Sequence, residues 1–279
     1  MLSISSSNSW FQNPNNIPVM NYVNDLMIKT HNKYIKPSKC FIVPHAGISY
    51  SGEVSARMYN YLLDNINQSI YKNINLVIFC TNHYQSDNKL YLPSFRSINL
   101  DTRKSLPVNI NFINELYKKG NNMKIDLESF KNEHSFTNQI PFLDYIQSKT
   151  NKKINIIPII VGNDNISYNM LRTLINKPST FVIISTDFNH VGPRFGSVIP
   201  SSIKLKEMDL KGIDYLLQKD IKGLSVCGYK SLLLYSRLQN ITKDKIELII
   251  RKTSFSDIDK KLWKEQDSIV SYLGIIIKK

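Results

Sequence analysis

The sequence predicts an α/β protein, a single domain over residues 1–279 whose central mixed, largely parallel sheet is flanked by helices. Three observations carry that prediction. Short strand-like runs alternate with segments of helical periodicity. The strand runs are mostly apolar, as expected where helices cover both faces of a sheet. No internal repeat, Pro-rich linker or low-complexity block divides the 279 residues.

The elements follow in order. Residues 40–44 form a short apolar strand that runs into a loop. Residues 52–64 carry Val54, Met58, Tyr59 and Leu62 at helical spacing. A second buried strand covers 76–80 and leads into a polar loop. Helical patterns span 107–119 and 134–147, with Pro141 inside the second, where it either kinks the helix or marks its true start. Strands at 154–161 and 181–185 bracket a helix over 168–176. Helices at 203–218 and 228–239 precede closing strands at 246–252 and 268–277.

Composition narrows the function classes. Hydrophobic residues make up 42% and charged residues 21%, which is ordinary for a globular chain and excludes collagenous or disulfide-scaffold classes. The longest apolar runs fall far short of the roughly 18 residues of a membrane span. The opening residues MLSISSSNSW lack a basic region followed by an apolar one, so no secretory leader is expected. The net charge of +14 would suit a polyanion partner. The basic residues are overwhelmingly Lys, however, and the accompanying excess of Asn, Ile and Tyr matches an AT-rich coding bias. Nucleic acid is therefore not expected as a partner. Cys40, Cys80 and Cys227 are odd in number and have no CxxC spacing, which points to reduced thiols and a cytoplasmic location, with the nucleus as a second compartment.

Histidine placement is the strongest functional signal. Of five histidines, four fall just after strands or in equivalent polar breaks: His45 in PHAGISYSG, His83 in TNHYQS, His134 in NEHSF and His190 in STDFNHVG. A parallel sheet gathers such ends into one cleft. Asp187 precedes His190 by three positions, a spacing suited to orienting an imidazole or binding a substrate. Glu133 adjoins His134 and could orient it or a water, although helix capping explains either carboxylate as well. Cys227 in SVCGYKS stands where a strand-like end meets a new helix, a setting that lowers a thiol pKa. Cys40 and Cys80 lie inside apolar strands and read as structural. Imidazole plus thiolate suits copper, iron or zinc. There is no HExxH, CxxC, Walker or GxSxG motif.

The ordered set PHAGISYSG, NHYQS, NEHSFTNQIPFL, IIPIIVG, STDFNHVGPRFG, VCGYKS and DSIVSYLG, with SSNSWF near the start, resembles the Memo family over nearly the whole chain. The resemblance implies a fold similar to the class III extradiol non-haem iron dioxygenases, of the kind seen in their B subunit. It maps His45, His83 and Cys227 onto a metal-binding trio for copper or iron, with zinc as a further candidate. It places His134, Asp187 and His190 in the same pocket as catalytic groups. Departures affect the pocket wall. His83-Tyr84 replaces the His-His pair of some members, Cys80-Thr81 replaces Gly-Pro, Cys227-Gly228-Tyr229 replaces CGR, and Val191 stands in place of an aromatic residue.

Three functions follow from the resemblance. The first is a metal-binding protein with a redox role at the His/His/Cys site. The second is a dioxygenase-like oxidoreductase acting on an aromatic substrate, against which Cys227 stands where a carboxylate completes the usual triad. The third is a module that holds a peptide, a phosphopeptide or another protein in the old cleft, although Arg is scarce for phosphate clamping. The first is preferred.

Overall fold

In the computed structural model, residues 17–31, 36–100, 104–163, 169–218, 225–255 and 268–279 are described. The chain runs through α1 (Val19–Thr30), β1 (Ser38–Val43), α2 (Ile48–Gln68), β2 (Asn73–Thr81), β3 (Leu90–Pro93), β4 (Ser97–Asn99) and β5 (Ser105–Pro107). Next come α3 (Ile110–Lys119), β6 (Met123–Asp126), α4 (Glu128–Asn132), α5 (His134–Thr137), α6 (Ile140–Lys149) and β7 (Lys153–Val161). The remainder is α7 (Asn169–Asn176), β8 (Thr180–Ser185), β9 (His190–Val191), α8 (Ser202–Gln218), α9 (Tyr229–Leu238), β10 (Ile246–Thr253) and β11 (Ile269–Lys278).

The main sheet has the order β10-β11-β1-β8-β2-β7-β3-β6, with β9 paired to β11. Its middle, β1-β8-β2-β7, is wholly parallel, with Ile42 opposite Ile184, Val77 opposite Val182 and Leu76 opposite Ile156. Ile, Val and Phe fill these strands because branched and aromatic side chains pack well on a pleated, covered surface. Every residue of β8 is buried, the pattern of a strand covered on both faces. Helices α1, α2 and α6 pack together on one side, where the Tyr59 and Phe142 rings stack at 5.1 Å. On the other side α7 packs on β8, and α9 on β2 and β8.

Antiparallel strands close both edges, which makes the sheet mixed as expected. β11 pairs antiparallel with β1 and with β10. On the far edge β3 runs antiparallel to β7 and parallel to β6. Pro158 lies within β7 opposite Ile78, yet β3 reaches only Ile160 and Val161 of that strand. The missing N–H of Pro158 therefore costs the β3 ladder nothing.

The periodicity located the longer strands and the longer helices other than α1, and missed smaller elements. Pro141 falls in the first turn of α6, so the 134–147 pattern is two helices and the proline marks the start of the second. Helix α1 was not anticipated, although Val23, Leu26, Met27 and Thr30 form its buried stripe at i, i+3, i+4 and i+7. The β4–β5 hairpin and the β3–β6 pair are three or four residues per strand, too short to show a period. The segment before Cys227, expected to be strand-like, is not a strand at residues 225–226. The SSNSWF segment lies outside the described residues.

Candidate metal centre

Strand order assembles the site. β8 lies between β1 and β2, and all three run in the same direction, so their carboxyl ends are adjacent. His45 follows β1, His83 follows β2, and Ser185 and Asp187 end and follow β8. Three remote stretches of sequence thus reach one place, beyond the carboxyl ends of parallel strands, where α/β folds place their ligands. His134 opens α5, and Cys227 stands two residues before α9.

Gly228 makes the approach of Cys227 possible. A Cβ at that position would lie 2.5 Å from Thr186 Cβ and 2.8 Å from Thr81 Oγ1. The close packing lets the Gly228 N–H donate to Thr186 Oγ1 at 3.0 Å and brings the adjacent sulfur against the end of β8.

The donor atoms converge. Nitrogens of His45 and His83 and the Cys227 sulfur all lie within 4.8 Å of one another, and His45 Nε2 is 3.3 Å from the Cys227 Sγ. The His45 ring meets the His83 ring edge-on at 5.0 Å and the His134 ring at 5.2 Å, while His83 and His134 are 4.1 Å apart. A second group, His83, Glu133 and His134, also falls within 4.8 Å and shares His83 with the first.

Around the donors the polar contacts are dense. His45 Nδ1 lies 3.0 Å from Ser185 Oγ, and His83 Nδ1 lies 2.7 Å from Glu133 Oε1. Glu133 Oε2 accepts the backbone N–H of His83 at 2.9 Å. Asp187 Oδ1 accepts the backbone N–H of His45 at 2.8 Å, and the Asp187 N–H donates to the Cys227 sulfur at 3.2 Å. Asn138 Nδ2 donates to the His45 carbonyl at 2.7 Å. The Tyr84 hydroxyl sits 2.8 Å from His134 Nδ1.

Burial sets the electrostatics. His45, with 1% of its surface exposed, is pushed well below the usual imidazole pKa by desolvation and by the neighbouring His83 and His190. His134 is lowered to about 3 by burial, with His45 and His83 adding to the effect. Both rings are therefore neutral near pH 7, as a metal-ligating imidazole must be. Desolvation raises the Asp187 carboxyl, and His190 and the His45 N–H oppose that rise.

The predicted residues come together with some changes of partner. His45, His83 and Cys227 form one group, with His134 beside them. Asp187 holds the backbone of the His45 turn, its Oδ1 accepting from both His45 and Ala46, where a partnership with His190 was one expectation. His190 sits at the rim in β9, with Nδ1 3.0 Å from the Ser225 carbonyl and its ring edge-on to Phe195 at 5.0 Å. Glu133 clamps His83 more closely than its sequence neighbour His134, whose Nδ1 is 3.6 Å away. It also caps α5 by accepting from the Ser135 N–H. The lowered thiol pKa expected for Cys227 is corrected: burial, reinforced by the Asp187 charge, pushes it up to about 12. Hydrogen bonds with Thr186, the Asp187 N–H and Thr81 oppose that rise without cancelling it. Cys40 and Cys80 are buried, in keeping with structural roles. Ser185 and Asn138 were not singled out, although they lie within the motifs STDFNH and NEHSFTN, whereas Tyr84 was noted only as a change to the pocket wall.

The fold and the site together define a class: a mixed α/β sheet with histidines and a cysteine, a group that could hold a metal ion, gathered beyond the carboxyl ends of its parallel strands. The family model for Memo-like proteins matches residues 9–276, and the chain belongs to that family. It is 27% identical over 266 residues to a MEMO1 family protein of Pyrococcus horikoshii, covering 85% of this chain and 86% of that one. A MEMO1 family protein of Saccharolobus islandicus is 26% identical, with 90% and 86% covered. One from Methanococcus maripaludis is 23% identical, with 88% and 85% covered. No helix among the described residues is long and apolar enough to cross a membrane.

Proposed function

We propose that this protein binds one copper or iron ion through His45, His83 and Cys227 and uses it in a redox role. The observation that carries the reading is the convergence, within 4.8 Å, of the buried His45 imidazole with the exposed His83 imidazole and the half-buried Cys227 thiol. The donor chemistry fits: two imidazole nitrogens and one sulfur form a borderline-to-soft set. A bound copper or iron ion supplies one-electron chemistry at such a site, and the sulfur favours reduced copper.

The chain's own residues do the rest. The Asp187 N–H, 3.2 Å from the Cys227 sulfur, stabilises a thiolate there. Asp187 and Asn138 fix the turn that carries His45. His134 is neutral and within hydrogen-bond reach of the Tyr84 hydroxyl, so it can hold or pass a proton at Nδ1. His190 stands at the rim, where it can do the same for an arriving ligand. A cavity of about 210 Å³, lined by Thr81, Val161, Cys227 and Gly228 but by neither histidine donor, opens beside the Cys227-Gly228 turn.

The test is the metal content of protein purified anaerobically without an affinity tag, measured by elemental mass spectrometry beside Cys227→Ala. Near one equivalent of copper or iron, lost in the variant, supports the reading. No metal, together with no uptake of added copper(I) or iron(II), overturns it and leaves the cleft as a binding surface.

A further inference from the structure

We propose that Glu133 and Ser185 are positioning residues that preset the tautomers of His83 and His45, so that each ring presents a bare ε-nitrogen to the metal centre. The inference rests on the reading of His45, His83 and Cys227 as donors, and it deepens that reading. It follows from counting protons.

Ser185 has a single hydroxyl hydrogen. Its Oγ lies 2.6 Å from the backbone carbonyl of Ser135, which can only accept, so that hydrogen is committed there. The same oxygen accepts from Gln139 Nε2 at 3.2 Å. The Gln139 amide cannot be turned around, because its Nε2 also lies 3.1 Å from the Pro44 carbonyl, which requires a donor. Its Oε1 accordingly accepts the Tyr59 hydroxyl at 2.9 Å. With its hydrogen spent, Ser185 can only accept from His45. His45 therefore carries its proton on Nδ1, and its bare Nε2 is the nitrogen 3.3 Å from the Cys227 sulfur.

Glu133 does the same for His83 by a different route. Its side chain is 2% exposed, and the backbone N–H groups of His83 and Ser135 both donate to it. Each carboxyl oxygen thus already accepts a backbone N–H, Oε2 from His83 and Oε1 from Ser135, and the group meets the His83 ring as an acceptor. His83 Nδ1, at 2.7 Å, must then bear the proton, which leaves Nε2 bare. Because Oε2 holds the His83 main chain and Oε1 its ring, the carboxylate fixes both the place and the rotation of that imidazole. Outer partners of this kind typically change metal affinity by about 10–100-fold when removed.

The experiment reads tautomers before any metal is added. Long-range proton–nitrogen correlation spectra of the metal-free, nitrogen-15-labelled protein show which ring nitrogen of each histidine is protonated. Protonation of Nδ1 on both His45 and His83 is expected, and Nε2–H on either overturns the proposal without recourse to a variant. In Glu133→Ala the His83 ring should lose its single tautomer while His45 keeps its own, and Ser185→Ala should do the converse. Unchanged spectra in the variants overturn the positioning role. Zinc(II) competition titrations should then show binding weakened about 10–100-fold in Glu133→Ala, with Glu133→Asp recovering part of it. Both δ-protonated rings in a wild type that takes up no zinc, copper(I) or iron(II) would uphold the tautomer assignment and sink the metal reading beneath it.

Discussion

The two ends of the parallel block carry opposite chemistry. At the carboxyl end, imidazoles, a thiol and two carboxyls are packed together, and contacts from neighbouring chain hold each group in one orientation. At the amino end a cavity of about 330 Å³ is lined by Lys39, Lys245, Lys278 and Lys279 with Tyr235 and Ile277. Lys39 there donates to the carbonyls of Lys177 and Thr180. Its pKa is lowered to about 8 by partial burial and by Lys279. Burial thus depresses cationic groups at both ends, but only the carboxyl end pairs the cost with donors aimed at a common point. Titratable residues in a cavity do not by themselves make a group that could hold a metal ion; convergence does.

Substitutions test that contrast. The largest effect is expected for His45→Ala, His83→Ala or Cys227→Ala, each of which should abolish stoichiometric metal uptake with the fold retained by circular dichroism. Lys39→Met should leave uptake untouched, and a loss there would erase the distinction between the ends.

Gly228→Ala comes next. Its new methyl would press on Thr186 Cβ at 2.5 Å, so urea unfolding should show a loss of about 1–3 kcal/mol, the usual cost of overpacking. Displacement of the adjacent Cys227 should weaken metal binding at the same time.

A smaller effect is expected from acid on the metal-free protein. His134 sits at about 3 in the native state against 6.5 ordinarily, so between those values the unfolded chain binds a proton that the native chain does not. Stability from this group is therefore present above about pH 6.5 and lost as pH falls, by at most about 1.4 kcal/mol per pH unit. His134→Gln should flatten the acid limb of a denaturation series, and equal slopes in the two proteins would contradict the burial argument.

The smallest effect is the stability change of Lys39→Met itself, expected within about 1 kcal/mol by thermal melting, since the site is only partly buried.

What was legible in the sequence was local. β1, β2, β7 and β8 show as apolar runs, and the histidines just beyond them show as ends of those runs. The orientation of β10 and β11 was not legible, because pairing is decided by contacts far apart in the chain. The role of Glu133 was hidden for the same reason, since its partner is 50 positions away while His134 is its neighbour. The Cys227 pKa was misjudged because the helix terminus is visible in the sequence and the burial that outweighs it is not.

Strand β11 runs the full depth of the sheet. At one end Ile277 pairs with Cys40 beside the lysine cavity. At the other, Ser271 exchanges backbone hydrogen bonds with Phe188 and Asn189, on the loop that carries Asp187. Its amides therefore form a built-in ruler for hydrogen–deuterium exchange. Ligand capture at the carboxyl edge should slow exchange around Ser271 while Ile276 keeps its rate, so one strand reports separately on the two ends it joins.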